Sequence, residues 1–404
     1  MRLSAIISAT LVIALTACSG AMNSLPVGNS APEPGQSLAR TSHLPSAAEL
    51  GLWPRAGAAE RVCADAPSGY AHCLALVRTD IRGLVRPAIP SGYSPADLQM
   101  AYNLTNSSSG NGKGQTVAIV DAYVDPNAAK DLAVYRSQYG LSSCTASSGC
   151  FATKAFGTSA NAGWAQEESL DVDMVSAICP NCHIILVEAA SNSLSALATA
   201  EKYATQHANY VSNSWSGDEG TKTYDSDFNV SGVAITAATG DNGYNSTAQW
   251  PAILPSVTAV GGTSLSSYNP RKESVWSGAG SGCSKVYAKP SFQSGLSTGC
   301  SDRAEADTAA DADPNTGVAV YDSYHESGWL VFGGTSVATP IIASTFALAG
   351  NTADNDNAHL YGNAASLNDV TSGNNGTCGK PLCTAGAGWD GPTGLGTPNG
   401  IGAF

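Results

Sequence analysis

Short, continuously apolar runs alternate with longer segments of helical period through the middle of this chain. TVAIVDAY (116–123), HIILVEA (183–189), YVSNSWS (210–216), GVAITAATGD (232–241) and SVTAVGGT (256–263) have the length and β-branched content of strands. WAQEESLDVDMVSAI (164–178) and SLSALATAEKYATQH (193–207) have helical spacing, and Asp125 with Pro126 marks a further helix start that Gly140 would end. Strands that are apolar along their whole length are buried on both faces, so the expected fold is α/β, a mainly parallel sheet flanked by helices. Such sheets gather their sites at the carboxyl ends of strands, here Asp121, residues 212–216 and Asp241.

The rest of the sequence bounds the setting. The 404 residues suit one large domain with appendages, and 43 glycines with few charged residues suit a compact chain with many tight turns. A formal charge of −13 argues against nucleic acid or an anionic membrane as partner, and the scarcity of lysine and arginine suits solubility in acid. MRLSAIISATLVIALTAC (1–18) has the basic start, apolar stretch and small-residue end of an export signal. Its LTAC ending looks like a lipobox, with Cys18 the residue that would carry lipid; a plain signal peptide ending in cysteine is the alternative. The chain is therefore expected outside the cytoplasm, extracellular or lipid-anchored in a bacterial envelope. Residues 19–90 read as a tether followed by a short pro-segment or N-terminal extension, and residues 91–404 as the main domain. The other ten cysteines fall in close pairs, 63 with 73, 144 with 150, 179 with 182, 283 with 300 and 378 with 383, which in an exported chain suggests disulfides without proving their connectivity. The Cys179 and Cys182 pair, in CPNC, reads as a structural bridge rather than half a zinc site.

GGTSVATP (333–340) leads into the apolar run VATPIIASTFALA, which puts Ser336 at the entry of a buried helix. Paired glycines allow close backbone approach, and the free N–H groups of a helix start favour negative charge nearby. Pro340 cannot donate to the carbonyl of Ser336, so that turn is irregular. An N-cap residue before an ordinary core helix is the bland alternative. A serine nucleophile needs a base, yet none of His43, His72, His183, His207, His325 and His359 stands in a catalytic pattern. Carboxylates offer another route. Glu167 and Asp171 lie one helical turn apart on one face, with Glu168 and Asp173 as rival acids on other faces. A solvated acidic helix start would explain them equally well. Asp241, in AATGDNGYN, closes a strand in a glycine-flanked turn from which a protonated carboxyl could donate to an oxyanion; a plain turn is the alternative.

Together these stretches resemble the sedolisin family, the serine-carboxyl peptidases of subtilisin-like fold, and the resemblance covers most of residues 91–404. It implies a single large catalytic domain with Ser336 as nucleophile, Glu167 as general base and acid, Asp171 as the residue orienting Glu167, and Asp241 as the oxyanion donor. QWPAILPSVTAVGGT is also typical of the family. NDVTSGNNG and AGAGWDGPTGLGTP resemble its calcium site, which implies one structural Ca2+ held by Asp369 and Asp390 and by the carbonyls of Val370, Gly386 and Gly388. The implied activity is acid endopeptidase action on proteins or peptides, by a monomer; residues 212–216 read either as a strand that pairs an extended substrate or as a plain core strand. Two features depart from the family pattern. The segment before the main domain is far shorter than a sedolisin prodomain. Asp121 stands where a subtilisin would carry its catalytic aspartate, which keeps a histidine-dependent peptidase as a rival, although Asp121 is read here as structural or supporting. An inactive peptide-binding homologue is the non-enzyme alternative.

Overall fold

The computed structural model describes residues 57–81, 90–220, 222–351 and 357–404; the expected signal segment, Cys18, the tether and His43 lie outside them. Four strands lie outside the expected apolar runs, β1 (Ala59–Arg61), β2 (His72–Cys73), β3 (Leu76–Arg78) and β5 (Phe151–Ala155); the runs themselves form β4 (Thr116–Ala122), β6 (His183–Ala189), β7 (Tyr210–Asn213) with β8 (Trp215–Asp218), β9 (Ala234–Ala238) and the strand Thr258–Tyr268. The helices that concern the site are α1 (Pro95–Ala101), α2 (Thr105–Gly110), α3 (Ala128–Gln138), α4 (Ala162–Ile178), α5 (Leu194–His207) and α6 (Thr335–Ala349).

An eight-stranded sheet carries the fold. Its order runs from Arg271–Val275 through Thr258–Tyr268 to β9, β7, β4, β6 and β5, with Thr308–Asp311 also pairing Thr258–Tyr268. All pairings are parallel except that of the edge strand Arg271–Val275. Alternation along each strand sorts side chains to the two faces. Val117 and Ile119 of β4 join α4 and α6 in one apolar cluster, whereas Ala118 and Val120 join α5 in another. The same parity carries Asp121 to the α4 side, opposite Glu188 of β6 in register.

The run 210–216 is not one strand. Ser214 interrupts it, ending β7 and letting β8 turn away to pair with β2 and with Gln249–Trp250. The described part of the N-terminal segment also enters the body of the molecule: β1 pairs with β3, and β3 pairs with the strand Gly328–Gly333 that leads into α6. All five expected cysteine pairs are disulfides. The helix expected from Asp125 begins at Ala128, because the Asp125 carboxylate accepts from the Asn127 N–H and holds a turn before it.

Candidate active site

Helix α6 begins at a strained corner that only glycine can make. Gly334 has φ +100°, and a Cβ there would stand 2.0 Å from the carbonyl oxygen of Leu74 and 2.8 Å from Asp241 Oδ2. Ser336 follows in the first turn, fully buried. Pro340 leaves the Ser336 carbonyl without its usual helical donor, and the Ser214 hydroxyl donates to that carbonyl at 3.4 Å. Ser336 Oγ in turn donates to the Ser214 carbonyl at 3.2 Å. Ser214 thus ties the helix start to the interrupted strand, and its one hydroxyl proton is shared with Asp171 Oδ1, the shorter contact at 2.9 Å.

Helix α4 brings the acids. Asn161 caps it by accepting from the N–H groups of Gly163 and Trp164. Its carboxyls are not a solvated helix start: Glu167, Glu168, Asp171 and Asp173 are all buried. Glu167 faces both the Ser336 side chain and the backbone N–H of Ala75, and each eases its ionisation although neither contact reaches full hydrogen-bond geometry. Burial, then the charge of Asp121, holds the Glu167 proton well above the ordinary carboxyl range. Asp171 is raised in the same way, by burial first, then by Asp121 and Glu167, with the Ser214 bond opposing. Glu168 is raised by burial and by Asp121, Glu188 and Asp125, while Asp173 accepts from the Tyr321 N–H and lies away from the group.

Asp121 therefore belongs to the cluster. Both its oxygens are buried without a hydrogen-bond partner among the described residues, and it presses on Glu167 and Asp171 alike. Sequence reading gave it only a supporting place; the signal available was strand parity, which puts it on the α4 face.

Asp241 follows β9 in a bend three residues past the strand end. Its Oδ1 accepts from Thr335 N and Thr335 Oγ1, both at 2.8 Å, whereas its buried Oδ2 has no hydrogen-bond partner among the described residues. Burial raises its pKa to about 7 against the opposing Thr335 bonds and the charge of Arg61. A carboxyl fixed through one oxygen and neutral at the other is a donor in acid. His72 lines the same pocket with Ser216, Asp241, Gln249 and Glu305. Of the histidines among the described residues, it alone borders that pocket, and burial lowers its pKa, with the nearby Arg61 charge adding to the effect.

The glycine-rich end brings Asp369 and Asp390 together. Gly388 N donates to Asp369 Oδ2 at 3.0 Å and Gly386 N to Asp390 Oδ2 at 3.2 Å, so the loops expected to share an ion are joined. Among the described residues no group of three or more His, Cys, Asp or Glu side chains is arranged for a metal. Two carboxylates with main-chain carbonyls form an all-oxygen donor set, which fits a hard cation such as calcium and fits zinc poorly.

No family model matches the chain. Kumamolisin of Bacillus sp. (strain MN-32) is 29% identical over 364 residues, which is 78% of this chain and 63% of that protein. Sedolisin of Pseudomonas sp. (strain 101) is 36% identical over 169 residues, 37% of this chain and 28% of that one. Among solved structures, Pseudomonas sedolisin (serine-carboxyl proteinase) complexed with two molecules of pseudo-iodotyrostatin superimposes with a TM-score of 0.65 at 24% identity, covering 77% of this chain and 96% of that chain. The chain is similar to sedolisin-family proteins over most of its length. Its fold is the sedolisin one, a subtilisin-like α/β domain. The chain spans less than two thirds of the length of these two curated relatives.

Proposed function

We propose that this protein is a serine-carboxyl endopeptidase that hydrolyses peptide bonds in acid through an acyl-enzyme on Ser336. The observation that carries the reading is the buried grouping of acids about Ser336: Glu167 faces its side chain, Asp171 shares Ser214 with it, and Asp241 is bonded to the adjacent Thr335. Ser336 Oγ attacks the substrate carbonyl as its proton passes to Glu167. Asp171, held by Ser214, shares charge with Glu167 and keeps it oriented, and Asp121 behind them raises the cost of a second charge. Neutral Asp241 donates from Oδ2 to the developing oxyanion while Thr335 fixes its other oxygen. Glu167 then returns the proton to the leaving amine, and water hydrolyses the ester by the same route in reverse.

Similarity to kumamolisin and sedolisin and the acids packed about Ser336 favour this over a histidine-dependent peptidase or a passive peptide binder. Calcium supplies a structural clamp in this reading, with Asp369, Asp390 and the carbonyls of Val370, Gly386 and Gly388 holding it. The protein acts as a monomer outside the cytoplasm, extracellular or anchored through Cys18. Five disulfides support export, and among the described residues no helix is long and apolar enough to cross a membrane. Replacing Ser336 or Glu167 with alanine should lower hydrolysis of an unfolded protein at acid pH by at least about 10³-fold with the circular dichroism spectrum unchanged. Full activity in either variant would sink the assignment.

A further inference from the structure

A polar pocket opens beside Asp241, and three of the side chains that line it hold a buried oxygen without a hydrogen-bond partner among the described residues. These are Asp241 Oδ2, Ser216 Oγ and Glu305 Oε2. Glu305 is only 1% exposed. It ends the strand Asp302–Glu305, which pairs antiparallel with Gly282–Ala288, and the Cys283–Cys300 disulfide joins the two arms. The Gln249 N–H donates to Glu305 Oε1 at 3.1 Å, which fixes the carboxyl and leaves Oε2 to the pocket. Ser216 stands two residues beyond Ser214, whose carbonyl accepts from Ser336 Oγ. A substrate carbonyl held between Ser336 Oγ and Asp241 Oδ2 therefore brings the side chain of its own residue, the acyl-side residue, against this pocket. A buried oxygen left unpaired costs free energy that a bound group of the right chemistry recovers.

Charge decides which group that is. The neighbouring cation, Arg303, is committed to both oxygens of Asp307 and to the carbonyls of Ile253 and Val257. Burial holds the Glu305 proton well above the ordinary carboxyl range, against the Gln249 N–H and the Arg303 charge, with Glu219 and Asp307 adding to it. In acid Oε2 is thus a hydroxyl donor, and the Ser216 hydroxyl can accept. The other titratable side chains of the pocket are Asp241 and His72, and protonated His72 disfavours a cation there. An aliphatic side chain would leave both oxygens unpaired. A primary amide or a protonated carboxyl satisfies both, because it carries an acceptor and a donor at one tip. We propose that Glu305 sets the acyl-side specificity, selecting glutamine, or glutamate while it is protonated, by donating from Oε2 to the side-chain carbonyl as Ser216 Oγ accepts from the amide or hydroxyl. This rests on the peptidase reading of Ser336.

The test uses the full chain at about pH 3.5, where a glutamate side chain in a peptide is mostly protonated. Peptides of one sequence that differ only in the acyl-side residue, as glutamine, glutamate, methionine or lysine, are ranked by kcat/KM. Mass spectrometry maps the residue before each cut in an unfolded protein. Wild type is expected to favour glutamine and glutamate over methionine and lysine by about tenfold or more, since a site built to hydrogen-bond rejects a side chain that cannot. Glu305→Leu should erase that preference by slowing the glutamine and glutamate peptides while the methionine peptide is still cut. Glu305→Gln, whose amide still donates, should keep the preference for glutamine. Lysine favoured by wild type, an unchanged ranking in Glu305→Leu, or an equal loss on all four peptides in both variants would overturn the inference and leave the peptidase reading standing. If wild type cuts no substrate, or cuts no faster than Ser336→Ala, the peptidase reading itself fails and this inference with it.

Discussion

Asp241 holds its two oxygens in different environments, and that asymmetry gives a residue-level prediction. Oδ1 is committed to Thr335 by two bonds while Oδ2 is free to carry a proton. Asparagine can reproduce both roles, accepting through its oxygen and donating through its amide, without titrating. Asp241→Ala should cost about 10²–10³-fold in kcat, the usual loss for one oxyanion donor, and Asp241→Asn much less. Wild type is expected to lose rate near pH 7 as Asp241 deprotonates, and the asparagine variant should not. Equal losses in the two variants, measured as kcat across pH, would remove Asp241 from the oxyanion role. The types and spacing of Ser336, Glu167, Asp171 and Asp241 were legible in the sequence because each sits in a local motif. Asp121 and the run 212–216 were placed at strand ends, but how Ser214 and Asp121 act was not legible, since it depends on a strand interruption and on a pairing 67 residues away with Glu188.

At the scale of elements, α4 packs four carboxyls against a sheet that contributes Asp121 and Glu188. Its period and length were readable, with the observed start at Ala162 set by the Asn161 cap. Its burial was not, because a helix rich in Glu and Asp looks solvated until the sheet parity beneath it is known. The N-terminal strands were unreadable for the same reason: three- and two-residue strands carry no periodic signal and exist only through their partners. The buried acids have a thermodynamic consequence. Glu167, Glu168 and Asp171 titrate in the folded state well above their unfolded values, so the native chain binds more protons than the unfolded chain once pH passes about 4. Stability from these groups is complete below the unfolded pKa and is lost as pH rises through the folded ones. The melting temperature should therefore fall by about 5 °C or more between pH 4 and pH 8. A rise over that interval in a calorimetric scan would mean that these carboxyls are not held neutral.

For the whole molecule, the alternation of strand and helix was enough to read the architecture, and the cysteine pairs were legible because each closes a short loop. The proposed calcium clamp would act at this scale, since residues 367–398 reach the main sheet where the Val275 N–H donates to the Ser372 carbonyl and the Ala309 N–H to the Gly396 carbonyl. A chelator should lower the melting temperature, by the equivalent of about 3 kcal/mol if the ion was present at a hundred times its dissociation constant. An unchanged melting curve would remove calcium from the account. The central claim is that carboxyls replace histidine as the base. It is tested most directly by the rate of hydrolysis of an unfolded protein between about pH 2.5 and 8, wild type beside Ser336→Ala. The account predicts serine-dependent activity that is highest in acid and falls as Asp241 loses its proton near pH 7. Activity that instead rises toward neutrality would contradict it.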